Sequence, residues 1–454
     1  MFKPKLMAHA IALTFLLPLA AQAGDSEDLE KLRAELQELK QNYEGRIQSL
    51  ETRLQQTESE AKTEKAAADA ATPTEATADQ VSSSPASSNA FNPDISLILS
   101  GIYANRSQDS NYHITGFQAG GSVGPGSRGF GLSESELGVY ANVDHYFYGG
   151  LNLALEPDNT ASVEEAFIQT TSLPYGLTLK AGRFYSSIGY LNEQHTHTWD
   201  FVDSPLVYQA FLGSQYNDDG VQLKWLAPTD MFLEFGAEYG RGRISDTQGR
   251  DKNGGSSGAL FAHVGGDVGV NSNWRAGVFY LEISPVNRLS NDLDTTGTYV
   301  TNSFTGTSKV WIADGVWKWA PNGNGTDTSF KLQGEYLHRS EDGSLENSLG
   351  IDQYAASQSG WYLQGVYKFL PEWRTALRYD QLNAGSVNYG LNSADLANTD
   401  YDPQRVSWML DYNPSEFSRV RLQLSRDESR QGLPDNQIFI QYLMSLGAHG
   451  AHKY

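Results

Sequence analysis

Two histidines, His195 and His197, lie two positions apart near the middle of the chain, and Asp200 and Asp203 follow them closely. In an extended segment, side chains at positions i and i+2 point to the same side, so the two imidazoles would share a face. Zinc is bound by imidazole and carboxylate ligands of this kind. His195 and His197 are therefore candidate metal ligands, although a segment without bound metal is the plainer interpretation.

The same segment holds residue types that a hydrolase uses. His197, Asp203 and Ser204 could supply a base, an orienting acid and a nucleophile. Proximity in sequence is weak evidence for such a triad, because the three groups must meet in space. The chain also lacks a P-loop motif. We expect no enzymatic activity and no cofactor.

The elements that must position these residues are strands, because apolar and polar residues alternate over much of the chain. In the segment 406–412, one face carries Val406, Trp408, Leu410 and Tyr412, and the other carries Ser407, Met409 and Asp411. Alternation at period two indicates a strand with two different environments. Where the polar face carries charges and the apolar face carries aromatic residues, a barrel in a lipid bilayer with its apolar side outward is the expected fold.

Sixteen strands are predicted. They lie near 95–104, 132–143, 147–156, 162–171, 175–184, 218–227, 230–241, 257–269, 273–284, 307–319, 327–338, 359–369, 372–381, 403–412, 416–426 and 435–446. Connections after even-numbered strands are tight, with turns such as Leu370-Pro371-Glu372 and Asn413-Pro414. Those after strands 1, 5, 7, 9, 11, 13 and 15 are longer, and only the one after strand 3, 157–160, breaks the pattern. Short periplasmic turns and long outer loops are typical of an outer-membrane barrel. The fold class is therefore all-β, a 16-stranded antiparallel transmembrane barrel over 95–454.

Three other segments precede the barrel. Residues 1–23 resemble a secretory signal peptide, with Lys3 and Lys5, an apolar run and an Ala21-Gln22-Ala23 cleavage site. A membrane anchor is the alternative, but the apolar run is too short to span a bilayer. Residues 24–60 indicate an α-helical coiled coil, and the Ala-, Thr-, Ser- and Pro-rich residues 61–94 indicate a flexible linker.

The coiled coil is predicted from a stripe of apolar residues at spacings of three and four. Its members are Leu29, Leu32, Leu36, Leu39, Tyr43, Ile47, Leu50 and Leu54. A single helix cannot bury such a stripe alone, so the pattern predicts self-association. We expect a homotrimer in preference to a dimer, with the coiled coil in the periplasm. Packing of the helix on its own barrel is the alternative.

Composition limits the partners. The chain has 54 acidic and 33 basic residues, a net charge of −21, and no cysteine. A surface this acidic argues against nucleic acid as a partner. Thiol-free chains do not depend on disulfides, which argues against a small secreted scaffold.

The inward face of the strands is expected to carry charges of both signs. The predicted lumen cations are Lys224, Arg275, Lys331, Arg374, Arg378 and Arg421, and acids such as Glu136 and Glu335 share that face. Such charges could orient a polar solute, or they could only pair across strands and stiffen the wall. A mixed lumen argues against strict selection of anions or cations.

The long connection 185–217 is the predicted pore constriction. It carries Glu193, His195, His197, Asp200 and Asp203, together with several aromatic residues. Packing at a subunit interface is the alternative. The second histidine pair, His449 and His452, should lie at the opposite end of the barrel, so the two pairs would not form one site.

One short motif indicates a family. Leu179-Lys180-Ala181-Gly182-Arg183-Phe184, running into Ile188-Gly189-Tyr190, resembles the strand-to-loop step of the phosphate-selective porin O/P superfamily. A coiled coil before a barrel is similar to that of sugar- and dicarboxylate-uptake porins. The resemblance implies a sixteen-stranded trimeric channel in the outer membrane of a Gram-negative bacterium. It does not carry phosphate selectivity over, because the chain is acidic and shows no arginine ladder in one register.

From these patterns we expect an outer-membrane porin for passive diffusion of small hydrophilic solutes, with membrane lipid around it. A barrel with a structural or adhesive role and a lumen closed by loops is one alternative, and a barrel for metal-ion binding or uptake is another. A plugged, energy-coupled receptor would need 22 strands, for which the chain is too short.

Overall fold

The computed structural model describes residues 93–108, 112–121, 123–243, 253–348, 350–396 and 400–447. The predicted signal peptide 1–23, the coiled coil 24–60 with its apolar stripe, and the linker up to residue 92 lie outside the described residues. His449 and His452 lie outside them as well.

Sixteen strands make up the described region, and two of them are interrupted. The first eight are β1 Asp94–Arg106, β2 in the segments Gly129–Leu132 and Ser135–Asn142, β3 Phe147–Leu155, β4 Ala161–Thr170, β5 Leu177–Tyr185, β6 Asn217–Leu226, β7 Phe232–Gly240 and β8 Ser257–Val268. The others are β9 in the segments Ser272–Ile283 and Arg288–Leu293, β10 Tyr299–Trp319, β11 Ser329–Asn347, β12 Gly350–Leu370, β13 Trp373–Asn388, β14 Gln404–Ser415, β15 Ser418–Glu428 and β16 Asp435–Gly447.

The sheet closes on itself. Every strand pairs antiparallel with its neighbours in sequence, and β1 pairs with β16 from Ser96 opposite Gly447 to Arg106 opposite Gln437. Closure leaves no unpaired sheet edge. The prediction of a closed, 16-stranded antiparallel barrel is confirmed.

Helices are few in the part of the chain that the structure describes. There is one α-helix, α1 Leu206–Leu212, and there are single 3-10 turns at Pro174–Gly176, Thr196–Thr198, Pro321–Gly323 and Gly390–Ala394. None of these described helices has the length and apolar character needed to cross a membrane.

The two faces of the strands differ as the alternation predicted. In β14, Val406, Trp408 and Tyr412 are exposed on the outside, whereas Ser407 and Asp411 are buried on the inside. Large apolar side chains are exposed on the outer face of other strands in the same way, among them Leu151, Val221, Leu260, Val278, Leu363, Leu377 and Ile440. The barrel therefore has an apolar exterior and a polar, charged interior.

Several strands extend beyond their predicted ends. Strands β10, β11 and β12 continue to Tyr299, Asn347 and Gly350, so the connections after β9 and β11 are only 294–298 and 348–349. The prediction of long loops at these two places is wrong. The added segments are rich in polar residues on both faces, so they lack apolar alternation, yet the ladder from Ser303 opposite Glu346 onward still pairs their backbone groups.

Candidate functional site

The connection between β5 and β6, residues 186–216, folds into the barrel, and we call it the inward loop. Its helix α1 is buried at all seven positions and ends at Gly213, whose φ of 66° is the left-handed conformation that glycine adopts most readily. Wall residues on distant strands bind its backbone. Arg339 donates to the Ala210 carbonyl at 2.9 Å, and Arg421 donates to the Trp199 carbonyl at 2.9 Å. The loop thus leaves β5 and is held by β11 and β15.

Asp200 of the inward loop meets two of the predicted lumen cations. Its carboxylate lies 2.5 Å from Lys331 Nζ and 2.9 Å from Arg374 Nη1, and it also accepts a hydrogen bond from Gln364. Burial alone would raise the pKa of Asp200, but the charges of Lys331 and Arg374 outweigh it and lower that pKa. Asp200 therefore stays ionised and ties the loop to β11 and β13.

Asp203 makes a second bridge of the same kind. It lies 2.9 Å from Arg378 Nη2 and 2.6 Å from Arg405 Nη1, and Gln423 donates to it at 3.0 Å. Burial would raise the pKa of Asp203, but the two guanidinium groups lower it. Arg405, which the sequence reasoning missed, also donates to the Ser204 carbonyl.

The remaining predicted wall cations have partners too. Glu193 of the inward loop lies 3.2 Å from Lys224 Nζ and 3.6 Å from Arg275 Nη2. Arg421 donates to Asp411 at 2.8 Å, and Arg374 shares that carboxylate at 2.7 Å. The wall charges therefore pair with each other and with the inward loop, as the second interpretation from sequence expected, and their action on a solute stays a prediction.

The two histidines lie against acids of the barrel wall. His195 Nδ1 is 3.4 Å from Glu136 and 3.5 Å from Glu164, and its Nε2 is 3.1 Å from Glu165. His197 Nδ1 is 2.6 Å from Glu136. Burial would lower the pKa of His195, but hydrogen bonds to Glu164 and Glu165 and the charge of Glu136 outweigh it and raise that pKa well above its usual range.

The acids next to His195 are not the aspartates that follow it in sequence. Asp200 and Asp203 are bound to wall cations, and the acids that approach His195 are Glu136, Glu164 and Glu165. The residues considered for a hydrolase have other partners. His197 is hydrogen-bonded to Glu136, whereas Asp203 is paired with Arg378 and Arg405. Glu164 and Glu165 were missed because adjacent strand residues normally point to opposite faces.

Apolar side chains fill part of the lumen between the loops and the wall. Residues 112–121 of the connection between β1 and β2, which we call the first connection, lie inside the barrel with the inward loop, and Phe117 and Phe211 have ring centroids 6.1 Å apart. This apolar cluster contains Tyr112, Ile114, Phe117, Ile188, Leu206, Val207, Tyr208, Phe211, Phe261, Phe279, Leu281, Ile312, Leu337 and Leu382, among others. Sequence reasoning missed the first connection, although Ile114 and Phe117 are unusual in a stretch rich in glycine and serine.

Two cavities lie beside the inward loop. A large one of about 1670 Å³ opens at the end with the tight turns and is lined by Lys331, Arg374 and Arg419 together with His197 and Asp200. A smaller one of about 400 Å³ is lined by Glu136, Asn152, Glu165, His195 and His197. Since His197 and Thr198 line both, this short segment separates a wide vestibule from a side cavity.

Comparison with known proteins gives one relative in sequence. An uncharacterized protein of Aquifex aeolicus (strain VF5) is 32% identical over 405 residues, which covers 82% of this chain and 82% of that protein. No protein-family model matches the chain.

Solved structures give similar barrels at low identity. The trimer form of OmpT, an outer membrane protein of Vibrio cholerae, has a TM-score of 0.49 and 13% identity over 79% of this chain and 100% of its own. OprB of Pseudomonas putida has a TM-score of 0.47 and 14% identity, covering 78% and 94%. The outer membrane channel DcaP of Acinetobacter baumannii has a TM-score of 0.47 and 11% identity, covering 79% and 99%.

Proposed function

We propose that this protein is an outer-membrane porin through which small hydrophilic solutes diffuse passively. The chain belongs to the same family as the uncharacterized Aquifex aeolicus protein. The observation that carries the proposal is the division of the closed barrel into an apolar exterior and a charged interior that holds a wide vestibule. A soluble protein would not expose such a continuous apolar surface.

The exterior supports a place in a bilayer. Apolar side chains are exposed around the barrel, and aromatic pairs lie near the tight turns, such as Trp225 with Phe235 and Trp373 with Tyr412. Aromatic rings at both edges of an apolar band are typical of outer-membrane barrels. The tight turns are assigned to the periplasmic side, as is typical of outer-membrane barrels. The large vestibule then opens to the periplasm, and the extended strand tips lie on the outer side.

The interior supports a narrow, charged passage. The inward loop carries the proposed constriction residues Glu193, His195, His197, Asp200 and Asp203, and the wall contributes Lys224, Arg275, Lys331, Arg374, Arg378 and Arg421. Because both signs of charge line the space beside the loop, a polar solute would meet a transverse field rather than a uniform one. Passage requires no energy source in this proposal.

Planar-bilayer recording tests the proposal. We expect purified, folded protein to form stable channels of small conductance, and we expect a variant whose residues 199–212 are replaced by a glycine–serine linker to form larger ones. If neither protein conducts, the pore proposal is wrong.

We further propose that the protein is a homotrimer steadied by the coiled coil 24–60 in the periplasm. This proposal rests on the heptad spacing of the apolar stripe, which lies outside the described residues. Light scattering of the double variant Leu36→Glu with Leu39→Glu should show a smaller assembly than the natural sequence, because two charges enter the predicted seam. A trimeric mass that is unchanged in the variant would show that the barrel itself holds the assembly together, and a monomeric mass of the natural protein would overturn the trimer proposal.

A structural or adhesive barrel with a closed lumen is the second candidate, and the apolar cluster inside the barrel favours it. Buried apolar packing between loops and wall excludes water from that part of the lumen. Closed channels in the natural protein together with open channels in the linker variant would support this candidate, with the loops acting as a stable closure.

A further inference from the structure

We propose that Glu136, Glu164 and His195 form a binding site for a divalent transition-metal ion, with Zn²⁺ as the expected occupant. The three side chains come from β2, β4 and the inward loop, and one ligand atom of each lies within 4.8 Å of the others. One imidazole and two carboxylates suit zinc better than the oxygen-only sites of calcium or magnesium. The proposal stands independently of the porin function.

The separation of the ligand atoms fits a tetrahedral ion. His195 Nδ1 is 3.4 Å from Glu136 Oε2 and 3.5 Å from Glu164 Oε2. Two ligands at about 2.1 Å from a tetrahedral zinc are separated by roughly 3.4 Å. Little rearrangement is therefore needed to place an ion between the three groups.

The amide of Asn152 marks the position between them. Its Nδ2 lies 2.9 Å from Glu136 Oε2, 3.3 Å from Glu164 Oε2 and 2.9 Å from His195 Nδ1. Its Oδ1 is buried and makes no hydrogen bond to any described residue. Rotation of the amide would turn this oxygen toward the three groups, and an amide oxygen is an acceptable ligand for a metal ion. Asn152 could thus supply the fourth ligand.

Each proposed ligand is oriented by an outer partner. His195 Nε2 lies 3.1 Å from Glu165, the second oxygen of Glu136 lies 2.6 Å from His197 Nδ1, and the second oxygen of Glu164 accepts from the Tyr185 hydroxyl at 2.5 Å. Metal-binding histidines commonly pair their other ring nitrogen with a carboxylate, and metal-binding carboxylates are hydrogen-bonded in turn. His197 belongs to this outer set and not to the ligands.

A bulge in β4 brings Glu164 to the site. Asn152 pairs with Glu165 and the next residue, Leu153, pairs with Val163, so Glu164 is the extra residue. Both Glu164 and Glu165 are consequently buried on the inner side. A bulge re-aims a side chain at the cost of a ladder position, and bulges are frequent next to functional sites. The cavity of about 400 Å³ beside His195 and Glu136 gives an ion a path of entry.

Calorimetric titration of the full-length folded protein with ZnCl₂ tests the site, with Co²⁺ absorption as a second readout of tetrahedral geometry. We expect one zinc ion per chain, with binding at least about 10-fold weaker in His195→Gln and in Glu164→Gln, because each removes a ligand. His263→Gln is the matched control. His263 is also an inward histidine 3.1 Å from a glutamate, Glu234, but it lies outside the three-ligand group.

Retention of the barrel in each variant is checked by its mobility in unheated gels. Zinc binding that is unchanged in both His195→Gln and Glu164→Gln would overturn the proposal, and so would an absence of binding by the natural protein. Weakening by His263→Gln to the same extent would show non-specific binding and would also count against the site.

Discussion

Arg405 of β14 lies 2.6 Å from Asp203 of the inward loop, although 202 positions separate them in sequence. Arg378 of β13 holds the same carboxylate at 2.9 Å. The inward loop is therefore held by more than its own flanking strands. It is also bound to the wall strands that it meets inside the barrel.

Replacing Asp203 by Asn should loosen the loop. The change leaves the Arg405 and Arg378 guanidinium groups buried with less compensating charge, and breaking a buried pair in this way costs about 3 kcal/mol. We expect a lower free energy of unfolding in urea and a larger or noisier channel conductance. Glu428→Gln is the control, because its partner Arg426 is 56% exposed and such surface pairs contribute about 1 kcal/mol or less. Equal effects of the two changes would contradict the fastening role.

Acid should release the loop only below the usual range of aspartate titration. The pKa values of Asp200 and Asp203 are lowered in the folded protein by Lys331, Arg374, Arg378 and Arg405. A lowered carboxyl pKa contributes stability that is fully present above the unfolded pKa of about 3.9 and is lost as the pH falls through the folded pKa.

Conductance recorded at successive pH values measures this effect. We expect little change between pH 7 and pH 5, and an increase only once the pH falls below about 4. The double variant Asp200→Asn with Asp203→Asn should lose this step. A conductance step near neutral pH that survives in the double variant would assign the response to another group.

The barrel itself could be predicted from the sequence because its signal is local. Alternation such as that of Val406, Ser407 and Trp408 depends only on which face each residue takes, and turn lengths then separate the two ends. The choice of 185–217 as the loop that enters the lumen had another basis, its length and its charged and aromatic residues, including Asp200 and Asp203. Which wall residues these acids meet depends on the register of strands far apart in sequence, so Arg405 could not be assigned.

The acids around His195 show a second limit. Glu164 faces inward only because β4 bulges there, and simple alternation places Glu164 and Glu165 on opposite faces. The polar ends of β10 and β11 show a third limit, since strand pairing continues where the apolar signal stops. In each case the deciding interaction is a backbone pairing that the residue types do not encode locally.

A charge on the outer face should be costly if that face lies in lipid. Leu377 of β13 is 57% exposed on the outside, opposite Trp408 on the next strand. Replacing it by Arg should lower the free energy of unfolding from lipid vesicles by about 2–4 kcal/mol, the cost of a buried charge on a barrel's lipid side. Leu391→Arg, in the exposed turn Gly390–Ala394, should cost little. A similar small cost at both positions would argue against a lipid-facing surface at Leu377.

Phe211 of α1 should be essential for the closed part of the lumen. It is buried, it lies near Phe117 of the first connection, and the Arg339 guanidinium lies 4.7 Å from its ring centroid. Replacing Phe211 by Ala removes the ring that links the two loops and leaves a space between them. The loss of this packing should lower the free energy of unfolding by about 3–5 kcal/mol.

Channel conductance shows whether the packing of Phe211 on Phe117 narrows the passage or whether the passage runs through another part of the lumen. We expect Phe211→Ala to raise the channel conductance, because water can enter the space that the ring occupied. Phe235→Ala is the matched control, since it removes the same atoms from the outer face of β7, where Phe235 stacks on Trp225. Its conductance should equal that of the natural protein. If Phe211→Ala destabilises the barrel without changing conductance, the apolar cluster supports the wall but does not set the width of the pore.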